Sequence, residues 1–232
     1  MIKKSCFLVI GVLLVFCIYG IVSCRNNGVN KKSNEIYSDK FTKGIPIIPG
    51  KIQCEYYNLG GEGIAYHDTD SVNSGSGALN KGKDYLSTFR IEEAVDISYT
   101  KFYNNGDSSE FNLVQPKKGQ LYIGWSEPGE WMKYTVKVKT SGIYVIGIMY
   151  TANGNVQISL DADNGNTTGS MDILTTNNPN EPFDWRQWHH WNYLDSIGNI
   201  ELQKGIQTLT LRNGVNCNIN YDFLSFTLLE NQ

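Results

Sequence analysis

The sequence predicts an all-β protein, a single two-sheet antiparallel β-sandwich, from its composition and its hydrophobic period. The chain of 232 residues contains 24 Asn, 23 Gly and 14 Tyr, a mixture typical of polar turns between short aromatic-rich strands. Apolar residues recur with a period near two, and no window carries the apolar stripe of an amphipathic helix. Roughly 185 residues follow an N-terminal leader and spacer, which is enough for one domain.

The clearest predicted strand covers residues 131–139. Its apolar set is Met132, Tyr134, Val136 and Val138, which alternates with polar and charged residues. Such a strand buries one face in the core and exposes the other to water. Similar short segments separated by turn residues predict further strands at residues 52–57, 63–67, 142–150, 156–160, 206–211 and 221–228.

Residues 1–23 have the features of a lipoprotein signal peptide. A basic start with Lys3 and Lys4 precedes an apolar run over residues 6–22, and Ser23 stands before Cys24. This end resembles a bacterial lipobox, which implies that Cys24 is acylated and that the protein is a bacterial membrane lipoprotein. We expect it at the outer membrane or cell surface, although Cys24 and Arg25 alone do not decide between inner and outer membrane. A retained membrane-spanning helix is the alternative. Residues 24–44 read as a flexible tether, and residues 45–230 as the folded module.

The cysteines limit the bonding and zinc chemistry of the domain. Of the 5 cysteines, only Cys54 and Cys217 fall in the predicted folded part. They form either a disulfide or two buried thiols. No C-x-x-C or H-E-x-x-H spacing is present, so no zinc site is predicted.

The charge balance excludes two broad classes of protein. Lys and Arg total 20 against 23 for Asp and Glu, and the net charge is -3. This chain has no basic segment to bind phosphates, so nucleic acid is not an expected partner. Charged residues make up only 19% and aromatic residues 12% of the chain, which is atypical of a disordered protein.

Three of the five tryptophans, Trp185, Trp188 and Trp191, crowd into one short segment. Trp185 follows a polar, proline-containing loop over residues 177–184, where a large ring is hard to bury. An exposed indole can stack on the apolar face of a pyranose, whose hydroxyls then bond to neighbouring polar side chains. The alternative is that these rings pack in the core or at its edges.

Five segments, taken in order, resemble carbohydrate-binding module family 6. They are IQCEYY at residues 52–57, GGEGIAYHDTD at 60–70, AVDI at 94–97, GWSEPGEWMKYTV at 124–136 and NYDFLSF at 220–226. The resemblance extends over residues 45–229. It implies a jelly roll with a galactose-binding-like fold that binds polysaccharide without cleaving it. Family members are usually attached to glycoside hydrolases, which are the implied partners.

The resemblance also implies the sugar-binding residues. Trp125 and Trp185 match the two aromatic walls of the sugar cleft. Asn220 matches the amide at its base, with Asn218 as the alternative. Glu62 lies in the loop region that helps to select the ligand.

A structural calcium ion is implied as the cofactor, held by side chains of Gln53, Glu55 and Asp222 together with backbone carbonyls. Calcium prefers such oxygen ligands. A glutamate is common in the family where this chain has Gln53. The three histidines match no metal-binding or catalytic arrangement and are interpreted as ordinary loop and strand residues: His67, His189 and His190.

The sequence also departs from the family pattern. Residues 98–121 form a long polar insert, and residues 85–90 look expanded, so we expect these loops to reshape the cleft. The general site is therefore predicted, whereas the glycan is not. Plant, algal and fungal β-linked polysaccharides are all compatible with the family.

Two other functions compete with non-catalytic polysaccharide binding. One is a role in protein–protein assembly at the cell envelope, with the tryptophans packed against another subunit. The other is a β-sandwich glycoside hydrolase, which would need two carboxylates across the scissile bond. The chain lacks the closely spaced Glu-x-Asp-x-x-Glu run of laminarinase-type sandwiches, and Glu127 and Glu130 belong to the binding-module motif. The sequence therefore predicts a protein that is not an enzyme.

Overall fold

Twelve strands are present in the part of the chain that the computed structural model describes, residues 44–75 and 88–229. Short 3₁₀ turns at Cys54–Tyr56, Tyr103–Asn105 and Asp184–Arg186 lie between them. The strands are β1 (Ile47–Ile48), β2 (Gly50–Gln53), β3 (Tyr66–His67), β4 (Ile97–Tyr99), β5 (Leu121–Ser126), β6 (Trp131–Val138), β7 (Gly142–Ala152), β8 (Val156–Ala162), β9 (Met171–Ile173), β10 (Asn192–Leu202), β11 (Gly205–Asn213) and β12 (Ile219–Leu228).

The strands form two six-stranded sheets. One has the order β1-β6-β11-β8-β9, with β3 also paired to β6. The other has the order β10-β7-β12-β5-β4, with β2 also paired to β12. All these pairs are antiparallel except β1 with β6. The predicted all-β, two-sheet sandwich is therefore confirmed.

A single main core contains side chains from both sheets. In β6, the predicted apolar set is buried, whereas Trp131 and Lys133 on the opposite face are partly exposed. Ile148 of β7 and Leu224 of β12 belong to the same core cluster as Tyr134. Burial of apolar surface contributes about 25 cal/mol per Å². The apolar side chains that these strands bury between the two sheets therefore stabilise the fold.

Two strand predictions are wrong over part of their length. Residues 52–57 are extended only as far as Gln53, because Cys54–Tyr56 turns into a 3₁₀ helix. Residues 63–67 contribute only the strand Tyr66–His67, since Gly61 O accepts the backbone N–H groups of Ile64 and Ala65 in a turn. Glycines at positive φ allow this turn.

Cys54 and Cys217 are both free and buried, so the thiol alternative is correct for this pair. Burial raises the pKa of the Cys217 thiol to about 12, which makes it a poor nucleophile.

The predicted signal peptide, most of the tether and the lipidation site Cys24 lie outside the described residues. Within residues 44–75 and 88–229, no helix has both the length and the apolar character needed to cross a bilayer.

The insert at residues 98–121 packs over the outer face of the second sheet. Asn112 Oδ1 accepts the backbone N–H of Trp191 at 2.9 Å, and Leu113 N donates to Trp191 O at 2.9 Å. Val114 packs against a second apolar cluster that contains Tyr122 and the fully buried Trp191. The insert is thus fixed to the segment that precedes β10.

Candidate functional site

An aromatic cleft of about 620 Å³ lies where the end of β5, the insert and the loop before β10 meet. Four of its side chains are large aromatic rings with exposed surface. The cleft is lined by Ser98, Lys101, Tyr103, Gly106, Asp107, Tyr122, Trp125, Trp185, Trp188 and His189. This volume is within the range of small-ligand sites.

The structure brings Trp125 and Trp185 to the same cleft. Trp125 is 37% exposed near the end of β5, and Trp185 is 61% exposed on the 3₁₀ turn Asp184–Arg186. Sequence reasoning missed Tyr103, which is 64% exposed and comes from the insert. Trp188 also lines the cleft, although only the local density of tryptophans pointed to it.

Trp125 has a left-handed backbone conformation, with φ of 51°. This conformation costs a non-glycine residue about 1–2 kcal/mol. The backbone N–H of Trp125 donates to Asn220 Oδ1 at 2.8 Å, which helps to hold the ring at the cleft.

Asn220 lies beneath the cleft and is 1% exposed. Its Nδ2 donates to Thr151 Oγ1 at 2.8 Å and lies 3.0 Å from His189 Nδ1. Neither Asn220 nor the alternative Asn218 is among the lining residues. The amide predicted to bond a sugar hydroxyl is therefore engaged by protein atoms behind the Trp125 wall.

A buried ion pair supports the loop that carries Trp185. Arg186 Nη2 donates to Glu181 Oε1 at 2.6 Å, and Ser109 Oγ donates to Glu181 Oε2 at 3.0 Å. His190 Nε2 lies 3.3 Å from the same Oε2. Burial disfavours the charge on Glu181, but hydrogen bonds from Arg186 and Ser109 outweigh it and lower the pKa to about 2. The pair and Ser109 join the loop to the insert.

Glu62, the predicted ligand-selecting residue, is not among the residues that line this cleft. Its carboxylate is about half exposed and lies 2.5 Å from His67 Nδ1. Its other oxygen accepts the backbone N–H of Asp68 at 3.1 Å. Glu62 therefore orders the loop after β3.

A smaller acidic pocket of about 210 Å³ adjoins the other side of Trp125. It is lined by Asp68, Thr69, Asp70, Asp96, Gly124, Trp125, Glu127 and Glu130. Burial, with the nearby carboxylates adding to it, raises the pKa of Asp68 to about 7 and that of Asp96 to about 6. Glu130 accepts the backbone N–H of Thr69 at 3.2 Å, and Asp96 accepts that of Ser74 at 2.5 Å. These carboxylates hold the loop after β3 in place.

The residues predicted to bind calcium are not among those that line the cleft: they lie at the end of β2, in the 3₁₀ turn that follows it and on β12. Glu55 is 2% exposed and Asp222 is fully buried, and each has one carboxylate oxygen without a protein partner. Burial raises the pKa of Glu55 well above its ordinary value, and the charge of Asp222 adds to the effect. Burial also raises the pKa of Asp222 to about 7. Two buried carboxylates with unpaired oxygens fit a hard cation.

Further ligands to a calcium ion beside Glu55 and Asp222 would be oxygen atoms of other groups. Gln53 ends β2 and pairs in register with Phe223, next to Asp222. Within the described part of the chain, no group of three His, Cys, Asp or Glu side chains is arranged to hold a metal ion. The Gln53 amide and backbone carbonyls are the further oxygen ligands that the resemblance implies, and Gln120 Nε2 donates to the other oxygen of Asp222, Oδ1.

Many of the solved structures similar to this chain are family 6 carbohydrate-binding modules. One that binds β-1,3-glucan, from Bacillus halodurans, is 15% identical with a TM-score of 0.46, covering 78% of this chain and 98% of its own. Another, from Clostridium stercorarium in complex with cellobiose, is 11% identical with a TM-score of 0.45, covering 81% and 100%. The C-terminal module of a Zobellia galactanivorans laminarinase is 15% identical with a TM-score of 0.43, covering 77% and 98%.

No family model matches the chain, and no curated protein is similar to it in sequence. The assignment of a ligand therefore depends on this chain's own cleft.

Proposed function

We propose that this protein binds a polysaccharide chain, without cleaving it, in the aromatic cleft between Trp125 and Trp185. One observation carries the proposal: two partly exposed tryptophans from distant parts of the chain line a single cleft of about 620 Å³. Isolated exposed apolar residues are common, but several large aromatic rings around one concavity are typical of a ligand site.

The chemistry of the cleft suits a sugar. Indole faces can pack against the apolar C–H faces of pyranose rings. Lys101 places a polar group among the rings, where its ammonium can donate to hydroxyls. The cost of immobilising a flexible glycan offsets part of the binding free energy gained by burying the aromatic rings, so we expect modest affinity for each site.

The carboxylates of the cleft support binding over hydrolysis. Among the described lining residues, Asp107 is the one carboxylate. Its Oδ1 accepts the indole N–H of Trp191 at 2.8 Å and lies 2.7 Å from His189 Nε2. Glycoside hydrolysis uses a pair of carboxylic groups flanking the scissile bond, and Asp107 has no such partner within this lining.

We also propose that Gln53, Glu55 and Asp222 hold a calcium ion with a structural role. When bound, the ion would supply positive charge to two buried carboxylates that otherwise have unpaired oxygens. It would thereby link the turn after β2 to β12, on the sheet that also carries Trp125.

The cellular setting remains the one expected from the sequence. A lipid on Cys24 would tether the module to a bacterial membrane, at the outer membrane or cell surface. Tethering near glycoside hydrolases of the same pathway would raise the local concentration of their polysaccharide.

Native affinity gels test the proposal. The purified full chain in detergent, with calcium, is run through gels that contain plant, algal and fungal polysaccharides, including β-1,3-glucan and cellulose-type β-glucans. We expect one class to retard the protein, and Trp185→Ala to abolish the retardation. Tyr193→Ala is the matched control, because Tyr193 is an exposed aromatic residue of β10 outside the cleft lining. Retardation by none of them would favour the protein-assembly alternative, and release of reducing sugar would favour the hydrolase.

A further inference from the structure

A chain of hydrogen bonds runs beneath the cleft from Trp125 to the insert. The Trp125 backbone N–H donates to Asn220 Oδ1 at 2.8 Å. Asn220 Nδ2 lies 3.0 Å from His189 Nδ1, and His189 Nε2 lies 2.7 Å from Asp107 Oδ1. Asn220, His189 and Asp107 are 1%, 8% and 3% exposed, so water competes little for these bonds.

The two ends of this chain determine the direction of every bond in it. A backbone N–H can only donate, so the oxygen of the Asn220 amide faces Trp125 and its NH₂ faces Thr151 and His189. His189 Nδ1 must then accept, which means that it carries no proton. The ring proton is on Nε2 and is donated to Asp107.

Asp107 is a fixed acceptor. It also accepts the Trp191 indole N–H at 2.8 Å and the backbone N–H of Lys101. Burial disfavours its charge, but the hydrogen bonds from His189, the Lys101 backbone and Trp191 outweigh this effect and lower the pKa of Asp107. The donors and acceptors of these hydrogen bonds therefore cannot exchange roles at the Asp107 end.

A doubly protonated His189 is incompatible with this arrangement. Its Nδ1–H would face the NH₂ of Asn220, and only rotation of the amide would bring the oxygen round to accept it. That rotation would remove the acceptor of the Trp125 N–H and place an NH₂ against it. Trp125 would then lose a bond that holds its left-handed conformation.

The groups around His189 act on its charge in opposite directions. Asp107 from the insert favours the cation, whereas Lys101, which lines the same cleft, opposes it. Tyr103 of the insert also lines the cleft, and the Tyr122 ring of β5 packs 5.9 Å from the imidazole, centroid to centroid. The amide of Asn220 accommodates only the neutral ring.

We propose that Asn220 and His189 are positioning residues for the cleft: they hold the Trp125 wall in place through this chain of bonds, and ligand binding requires neutral His189. This inference rests on the proposed polysaccharide binding. It assigns Asn220 to the support of a wall in place of direct contact with the sugar. It also makes the strength of binding dependent on pH.

The test measures affinity for the polysaccharide that retards the protein, between pH 8 and pH 5, by affinity electrophoresis of the full chain. Linkage of one protonation to binding gives about a tenfold loss of affinity for each pH unit below the titration point. We expect this loss in the unmodified protein and in His67→Gln, a histidine outside the cleft lining. In His189→Gln, whose side chain does not titrate, we expect a clearly smaller loss; what remains comes from Asp68 and Asp96, which line the pocket on the other side of Trp125 and have raised pKa values. The inference would be overturned if His189→Gln binds the polysaccharide and loses as much affinity between pH 8 and pH 5 as the unmodified protein does.

Nuclear magnetic resonance tests the chain of bonds independently of any ligand. We expect the ¹⁵N shifts of His189 to show an unprotonated Nδ1 at pH 8. The amide resonance of Trp125 should move with the protonation of His189, and in His189→Gln it should not move. A protonated Nδ1 at pH 8 would refute the inference even if the cleft binds sugar. So would a Trp125 amide resonance that does not move when His189 is protonated. Conversely, absence of any polysaccharide binding with the expected shifts would refute the proposed function and leave the coupling intact.

Discussion

Glu181 and Arg186 form a buried ion pair, 2.6 Å between Oε1 and Nη2, directly beneath the turn that presents Trp185. The Glu181 side chain is fully buried, and Ser109 of the insert bonds to its other oxygen. Removing one partner of a buried pair leaves the other charge without compensation. The position of the exposed Trp185 ring therefore depends on a buried carboxylate.

Glu181→Gln should lower the stability of the domain by about 3 kcal/mol, since it leaves the Arg186 charge buried without its counter-ion. Urea unfolding followed by tryptophan fluorescence measures this change. Glu201→Gln is the matched control, because Glu201 is exposed on β10. Equal stability of the two variants would show that the ion pair contributes nothing.

Low pH should destabilise the unmodified protein by protonating Glu181. The pKa of Glu181 is lowered from 4.5 to about 2 in the folded state. Its contribution is therefore fully present above pH 4.5 and is lost as the pH falls from 4.5 towards 2. The difference in melting temperature between the unmodified protein and Glu181→Gln should shrink over that window. A difference that stays constant down to pH 2 would contradict the assignment.

Tyr103→Ala should weaken polysaccharide binding by about 1–2 kcal/mol, roughly five- to thirtyfold, because it removes a third exposed ring from the cleft. Isothermal titration with oligosaccharides of increasing length measures this. Tyr193→Ala is again the control, and it should leave affinity unchanged. Undiminished affinity of Tyr103→Ala for every length would show that the insert supplies no sugar contact.

Calcium should stabilise the domain, and Asp222→Asn should remove that stabilisation. In the unmodified protein, we expect calcium to raise the melting temperature and a chelator to reverse the rise. Without calcium, Asp222→Asn should cost little, because the neutral amide avoids burying a carboxylate with an unpaired oxygen. The matched control is Asp172→Asn, an exposed residue of β9. A calcium response that persists in Asp222→Asn would exclude this site.

The tryptophans should separate into two classes. Trp125→Ala and Trp185→Ala remove partly exposed rings, so we expect lost sugar binding with a change in stability below about 1 kcal/mol. Trp191 is fully buried, and Trp191→Ala should cost about 3–5 kcal/mol. Thermal melts of the three variants measure this, and unfolding of the first two would place their rings in the core.

Features that depend on the local order of residues are predictable from the sequence. The period of two in β6 correctly predicted which side chains are buried, because alternate residues of a strand face opposite sides. A polar loop before Trp185 correctly predicted an exposed ring. Strands β5 and β10 were not predicted. The burial in β5 is nearly continuous and that in β10 is irregular, so neither displays a clean alternation.

The surroundings of the cleft depend on how distant segments pack together, which the sequence does not reveal. Asn220 belongs behind the wall, Glu62 belongs to another loop, and Tyr103 reaches the cleft from the insert. The sequence pattern indicates an ordinary residue at His189, yet in the structure His189 bonds to Asp107 and Asn220. These relationships join residues far apart in the chain, and the packing of the loops on the two sheets determines them. Hydrophobic periodicity records which face of a strand is buried, but it carries no information about which distant loop will cover that strand's end.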